Sequence, residues 1–160
     1  MRRFHQRIKA PIAATPQTLK CDPASALMFS GRLLELSKDL AAAANGTEDV
    51  LLSRAAMAVE ELGEWLAANA NDNLPATADA LGDRLYVLLG DAVASGIPLP
   101  EVFEAVHESN CSKLPLVTTG MGKAFKGRDY KAPDLESLLA DYAALRSDDP
   151  EASERDFLDL

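Results

Sequence analysis

Hydrophobic side chains recur every three or four residues along several stretches of the chain, which is the period of an amphipathic α-helix. The stretch 47–69 shows the pattern most clearly, with its apolar positions at Leu51, Ala55, Val59, Leu62 and Leu66. No segment alternates apolar and polar residues for long enough to predict a β-strand. The pattern therefore predicts an all-α bundle of four or five helices.

Capping signals set the bounds of these helices. The first has Asp22 as its predicted N-cap, Pro23 at its first position, and Asn45-Gly46 at its end. The predicted helices cover residues 23–44, 47–69, 75–95, 99–112 and 133–146. Between them, residues 11–23 predict an extended lead-in and residues 114–132 a glycine-containing loop. We expect a single domain over residues 1–146 and an acidic tail over 147–160.

Composition excludes several classes of protein. The chain has 160 residues, 48% hydrophobic and 26% charged, which is typical of one soluble domain. No apolar run approaches the roughly 20 residues that span a bilayer, so we expect no membrane segment. The net charge of −9 disfavours binding to a nucleic-acid polymer. Cys21 and Cys111 predict reduced thiols, because they form neither a disulfide framework nor a CxxC metal site, and we expect a cytoplasmic protein.

Carboxylates are paired on two consecutive predicted helices. Glu60, Glu61 and Glu64 lie on the second, and Asp79 and Asp83 on the third. Because residues three or four apart share a helix face, antiparallel neighbours would present four or five carboxylates together. Hard divalent cations such as Mg²⁺ prefer oxygen ligands of this kind. The alternative interpretation is that these side chains form solvated outer faces.

A basic segment follows the fourth predicted helix, although the chain as a whole is acidic. Asp129 alone opposes its five cations, which are Lys113, Lys123, Lys126, Arg128 and Lys131. Such a segment suits a phosphate-bearing ligand, and its alternative is a solubilising surface loop. Metal-binding carboxylates and cationic side chains commonly occur together at phosphoryl-transfer sites. The chain has no GxxxxGK[ST] motif, so it is not a P-loop ATPase.

The ordered series of motifs resembles the all-α nucleoside triphosphate pyrophosphohydrolases, the MazG-like proteins and relatives of phosphoribosyl-ATP pyrophosphohydrolase. The resemblance covers roughly residues 54–139. It rests on Glu61-Leu62-Gly63-Glu64, on Asp79-Ala80-Leu81-Gly82-Asp83-Arg84-Leu85-Tyr86, on Gly96-Ile97-Pro98, on His107-Glu108-Ser109-Asn110-Cys111-Ser112-Lys113 and on Gly122-Lys123-Ala124-Phe125-Lys126-Gly127. It implies a MazG-like bundle that hydrolyses a nucleotide between its α and β phosphorus atoms.

The resemblance also implies a metal site. The family carries ExxE followed by ExxD on the next helix, and Glu61, Glu64 and Asp83 match three of these positions. Ala80 stands where the family commonly has Glu, and Asp79 is the replacement that the i,i+4 spacing to Asp83 favours. The implied ligands of Mg²⁺, or alternatively Mn²⁺, are Glu61, Glu64, Asp79 and Asp83. If Asp79 faces away, the site has lost a ligand.

Roles for further residues follow from the resemblance. Glu60 or Glu61 would orient or deprotonate the attacking water. The implied contacts to the sugar and phosphates of a nucleotide substrate come from Asn110, Lys113, Lys126 and Tyr130. Family members are usually dimers or tetramers, so we expect a homodimer or a dimer of dimers.

Three alternatives stand beside this hypothesis. The first is a helical binding or regulatory module with a degraded metal site, which the alanine at position 80 favours. The second keeps the family and changes the substrate to phosphoribosyl-ATP. The third is a di-iron protein, since Glu104 and His107 form an ExxH pair, but such sites need a second pair and the chain has none.

Overall fold

The computed structural model of the chain describes residues 1–115 and 124–148. Within these residues there are six helices: α1 (Arg2–Ile8), α2 (Pro23–Ala44), α3 (Val50–Ala70), α4 (Leu74–Ser95), α5 (Leu99–Cys111) and α6 (Leu135–Asp148). Two short strands, β1 (Leu114–Pro115) and β2 (Ala124–Phe125), complete the described structure. The all-α prediction is confirmed. Part of the basic segment, including Lys123, and the acidic tail from residue 149 onwards lie outside the described residues.

The contacts divide the chain into two compact units. Residues 15–94 form one unit, which contains α2, α3 and α4. Residues 1–14 and the described residues between 95 and 148 form the other, which contains α1, α5, α6 and the two strands. The boundaries of the predicted domain over residues 1–146 stay a prediction.

Capping side chains begin four of the described helices, α2 and α3 among them. Asp22 accepts a hydrogen bond from the Ser25 amide at 3.0 Å, so the predicted start of α2 is confirmed. Asp49 accepts one from the Leu52 amide at 2.9 Å and starts α3 three residues later than the periodicity predicts. Gly96 follows α4 with a φ of 67°, a left-handed conformation that glycine adopts without steric cost.

Two features were missed by the sequence pattern. The basic segment Arg2–Ile8 is helical although it has no apolar stripe, and its one buried side chain is Ile8. Its helicity depends on packing against α5 and β1, because an isolated helix of this length is marginal in water. Strands β1 and β2 pair antiparallel, with Leu114 opposite Phe125. Two residues per strand are too few to show alternation, so the prediction of no strand was wrong here.

Small residues hold α2 and α3 close together. The buried positions of α2 are Ala26, Ser30, Ser37 and Ala44, and those of α3 include Ala56 and Gly63. A Cβ atom added at Gly63 would lie 3.1 Å from Leu34 Cγ and 3.3 Å from the Ser30 carbonyl oxygen. The contact therefore depends on the absence of a side chain at Gly63.

The sequence also predicts that no segment spans a membrane and that both cysteines are reduced thiols. Among the described residues no single helix is long and apolar enough to cross a membrane, and α4 and α5 reach that criterion only when they are counted together. Cys21 is exposed, Cys111 is half-buried, and both are free thiols.

We expect Gly63→Ala to be less stable than the matched variant Gly31→Ala, whose new methyl group would meet nothing within 4 Å on α2. Gly31→Ala should gain about 0.5–1 kcal/mol from helix propensity. At Gly63 overpacking should cost about 1–3 kcal/mol and cancel or reverse that gain. Equilibrium denaturant unfolding of both variants measures the difference. Equal free energies of unfolding would show that the α2–α3 contact tolerates a wider separation.

Candidate active site

The side chain of Arg54 joins α3 to α4. It forms an ion pair with Asp91, and its Nη2 atom donates a hydrogen bond to the Val87 carbonyl at 2.7 Å. A Cβ atom at Gly90 would lie 2.5 Å from the same Nη2 atom, so a side chain at this position would require the guanidinium to shift from its place across α4. Along the same pair of helices, the Arg84 guanidinium lies 4.7 Å from the centre of the Trp65 ring, a cation–π contact.

Glu61 of α3 has the least favourable electrostatic surroundings among the predicted carboxylates. One of its carboxylate oxygens, Oε2, is shielded from solvent and has no hydrogen-bond partner. Burial raises the pKa of the Glu61 carboxyl above its ordinary value, and the negative charges of Glu64, Asp83, Glu60 and Asp79 raise that pKa further. All five predicted carboxylates thus belong to one electrostatic cluster.

The carboxylates of this cluster do not form a closed ligand shell. In the part of the chain that the structure describes, no three Asp, Glu, His or Cys side chains lie close enough to hold a metal ion. Ionised carboxylates without a cation between them repel one another, which disfavours a closed shell in the metal-free protein. The unpartnered Oε2 atom and the oxygen-only donor set nevertheless fit a hard divalent cation.

Ala80 and its neighbour Asp79 occupy different faces of α4. Ala80 is 4% exposed and lies on the buried face of the helix with Thr77 and Val87. Asp79 and Asp83 are exposed, and both contribute to the raised pKa of Glu61. The carboxylates of α4 that act on Glu61 therefore come from the exposed face of the helix.

The four predicted substrate contacts lie together in the other unit. Lys113 donates a hydrogen bond from Nζ to Asn110 Oδ1 at 2.6 Å. The Nζ atoms of Lys126 and Lys113 lie 4.8 Å and 5.9 Å from the centre of the Tyr130 ring. These residues come from the end of α5 and from the segment after β2, and they form a polar and cationic cluster around Tyr130.

Ser109 belongs to this cluster, although the sequence analysis missed it. Its side chain is buried, and its Oγ atom donates a hydrogen bond to the Tyr130 hydroxyl oxygen at 3.5 Å. This hydrogen bond, with the charges of Lys126 and Lys113, lowers the pKa of the Tyr130 hydroxyl. No local pattern predicts the pairing, because the two residues are 21 positions apart in the sequence.

His107 has structural neighbours rather than a set of metal ligands. Its ring stacks on Phe103 with 6.0 Å between ring centres, and its Nε2 atom lies 3.7 Å from Cys111 Sγ. Over the described ranges no metal-binding group of three ligands includes it. The contacts of the ExxH pair therefore give no support to a di-iron site.

The chain is helical with acidic residues on consecutive helices, and its family match assigns it to the MazG-like superfamily of all-α nucleoside triphosphate pyrophosphohydrolases. The chain belongs to the phosphoribosyl-ATP pyrophosphohydrolase family, whose profile matches residues 27–110. Membership implies a hydrolase that acts on the pyrophosphate linkage of a nucleotide. No curated protein and no solved structure matches the chain significantly.

The match divides the candidate residues into two sets. All five carboxylates and Asn110 lie within residues 27–110. Lys113, Lys126 and Tyr130 lie beyond the matched range. Their grouping around Tyr130 is therefore an observation of the structure that the family match does not supply.

We expect Glu61→Gln to stabilise the protein at neutral pH when divalent cations are absent. A carboxyl whose folded-state pKa is raised favours folding while it is protonated, and this contribution is lost as pH rises through the folded-state pKa. The amide removes that loss, so the gain in melting temperature over the unmodified protein should shrink as the pH is lowered. Thermal unfolding at several pH values measures it. The exposed Glu60→Gln is the control, and an equal, pH-independent gain in both variants would contradict the special position of Glu61.

Proposed function

We propose that the protein hydrolyses a nucleoside or deoxynucleoside triphosphate to the monophosphate and pyrophosphate in a reaction that depends on Mg²⁺. One observation supports this above the others, the unpartnered Glu61 oxygen surrounded by the charges of four further carboxylates. Such a cluster is costly in the free protein and becomes favourable when a divalent cation compensates its charge. Family membership supplies the nature of the bond that is hydrolysed.

The proposal assigns the metal to Glu61, Glu64, Asp79 and Asp83, with Mn²⁺ as an alternative to Mg²⁺. When bound, the ion would neutralise charge on the phosphate oxygens and so favour nucleophilic attack. The proposal assigns to Asp79 the ligand that position 80 lacks, because the charge of Asp79 acts on Glu61 and Ala80 carries no carboxylate. Glu60 or Glu61 orients the attacking water or accepts its proton.

The cluster around Tyr130 binds the phosphates and sugar in this proposal. Lys113 and Lys126 supply charge, and Asn110 and Tyr130 supply hydrogen-bonding groups. One water is consumed, the link between the α and β phosphorus atoms is broken, and the pyrophosphate leaves. The proposed setting is the cytoplasm, where nucleotides and Mg²⁺ are both present.

Two other functions remain as candidates, and each is favoured by one observation. The family match favours phosphoribosyl-ATP as the substrate, which is cleaved at the same kind of linkage. The alanine at position 80 favours a binding or regulatory module whose metal site is degraded.

We expect the unmodified protein to release pyrophosphate from one or a few members of a panel of nucleotides that includes phosphoribosyl-ATP, and only with Mg²⁺ or Mn²⁺. Glu61→Gln and Asp79→Asn should each lower the rate by about 100-fold or more, because each removes a charged group from the metal site. Coupled detection of pyrophosphate measures the rates. Asp39→Asn, an exposed carboxylate of α2 outside the cluster, is the matched control and should retain full activity.

Different results of this pyrophosphate-release experiment favour different candidate functions. Activity lost in Glu61→Gln and kept in Asp79→Asn would preserve the enzyme and remove Asp79 from the site. Release from phosphoribosyl-ATP alone would change the substrate. No release together with no rise of melting temperature in Mg²⁺ would support the binding module, since a ligand present at about 100 times its dissociation constant stabilises a protein by roughly 2.7 kcal/mol.

Exposed apolar side chains support the proposal of a homo-oligomer, with a dimer as the smallest unit. Among the described residues no large side chain is fully buried. Leu81, Leu85 and Leu88 follow one face of α4 and are 55%, 56% and 50% exposed. With Ala58 and Leu62 of α3 they line a groove of about 390 Å³. An apolar face of this kind is typical of a contact with a second copy of the same chain.

We expect Leu85→Glu to shift the protein from oligomer to monomer, because a charge on this face would be buried unpaired in the interface. Light scattering coupled to size-exclusion chromatography measures the mass. Leu145→Glu on α6 is the control, since Leu145 is 72% exposed and lies outside the groove. A monomeric unmodified protein, or an unchanged mass in Leu85→Glu, would contradict this interface.

A further inference from the structure

The N-terminal helix places a cation against the backbone of Lys113, one member of the cluster around Tyr130. Arg7, in the last turn of α1, donates a hydrogen bond from Nε to the Lys113 carbonyl oxygen at 3.1 Å. The same Lys113 extends its ammonium group to Asn110 and towards Tyr130. Although 106 positions separate them in the sequence, Arg7 and Lys113 are therefore direct neighbours.

The position of Arg7 is fixed by packing. Ile8, the next residue, is the buried side chain of α1, and α1 contacts both α5 and β1. His5 of the same helix contacts the Pro11 carbonyl oxygen through Nδ1 at 3.0 Å, which ties the end of the helix to the chain that follows it. The guanidinium is thus held at the end of α5 by a helix that is itself anchored on two sides.

Among the described residues, the cations of this group are not paired with carboxylates. Within residues 1–115 and 124–148, none of Arg7, Lys113 and Lys126 has a carboxylate at ion-pair distance. The chain carries a net charge of −9, so acidic partners are abundant elsewhere in the sequence. Lys113 and Lys126 lie beside the Tyr130 ring and Arg7 lies against the Lys113 backbone, and cations without a carboxylate partner attract an anion.

The remaining donors of Arg7 suit a phosphate group. Its Nε atom is engaged by Lys113, and its terminal Nη atoms have no hydrogen-bond partner in the described structure. A guanidinium presents several donors in a fixed plane, and phosphate oxygens are among its best acceptors. Lys113 and Lys126 act beside it as point charges.

We propose that Arg7 is a phosphate-binding residue, which makes the N-terminal helix α1 part of the site for the polyphosphate of the substrate. The inference deepens the proposed function and rests on it for the identity of the ligand as a nucleotide polyphosphate. The purely structural alternative is that Arg7 only compensates the partial negative charge at the carboxyl end of α5.

The test measures binding of inorganic tripolyphosphate by calorimetry in the absence of divalent cations, so that the carboxylate cluster cannot bind it through a metal. Arg7→Gln should raise the dissociation constant by about tenfold, the effect of losing one charge-assisted contact. Arg3→Gln is the matched control, because it removes the same charge from the same helix and should change binding by less than about twofold. Arg7→Lys should give an intermediate value, because it keeps the charge and loses the planar donors.

Hydrolysis provides the second readout. With the best substrate of the panel, Arg7→Gln should raise KM more than it lowers kcat, and a nucleoside monophosphate should bind both proteins almost equally. Equal effects of Arg7→Gln and Arg3→Gln on tripolyphosphate would overturn the proposal, since they would show a general effect of charge. A lower melting temperature with unchanged binding would overturn it in favour of the structural role.

The two proposals fail in distinguishable ways. A protein that hydrolyses no nucleotide but binds tripolyphosphate through Arg7 would overturn the proposed function and support the phosphate site. An active enzyme in which Arg7→Gln binds tripolyphosphate as the unmodified protein does would support the function and overturn the role of Arg7.

Discussion

The mutual repulsion of carboxylates around Glu61 is the constraint on which the rest of the candidate site depends. One oxygen of Glu61 is buried without a partner, and four further negative charges act on it. A protein maintains such an arrangement only when other contacts hold the helices in place. Here Arg54 supplies part of that restraint, since its guanidinium binds Asp91 and the Val87 carbonyl of α4. The cost of the acidic cluster is thus offset by contacts outside it.

The same architecture explains why so much apolar surface is exposed. Close packing of α2 and α3 requires small residues, and Gly63 is the position where a side chain would meet Leu34 and the Ser30 backbone. A contact built from Ala, Ser and Gly buries little apolar area per residue. The larger side chains, such as Leu85, are left on outer faces. Assembly with a second copy would bury these exposed apolar side chains and would add an apolar core to the one that a single chain forms.

Two contacts between residues distant in the sequence, together with one between residues three positions apart, assemble the cluster around Tyr130. Ser109 donates a hydrogen bond to the Tyr130 hydroxyl oxygen, and Lys113 donates one to Asn110 Oδ1. Arg7 donates one to the Lys113 carbonyl oxygen. Each contact is made by a hydrogen bond between polar groups, so the cations are placed by the fold and not by acidic partners. A cation placed in this way keeps its charge available for an anionic ligand.

The sequence by itself determined the five longer helices, α2 to α6, and the chemistry that they carry. Periodicity and caps predicted α2 to within a residue, because Asp22 and Pro23 act locally, and the spacing of Glu61, Glu64, Asp79 and Asp83 predicted their membership in one acidic cluster. Only the tertiary structure decided which side of α4 is buried, and so separated Ala80 from Asp79. It alone revealed α1 and the two strands, whose stability comes from packing and pairing with distant segments. A local sequence pattern reflects interactions between residues that are close in the sequence. Contacts between distant residues, such as Arg7 and Lys113, produce no periodic pattern in the chain.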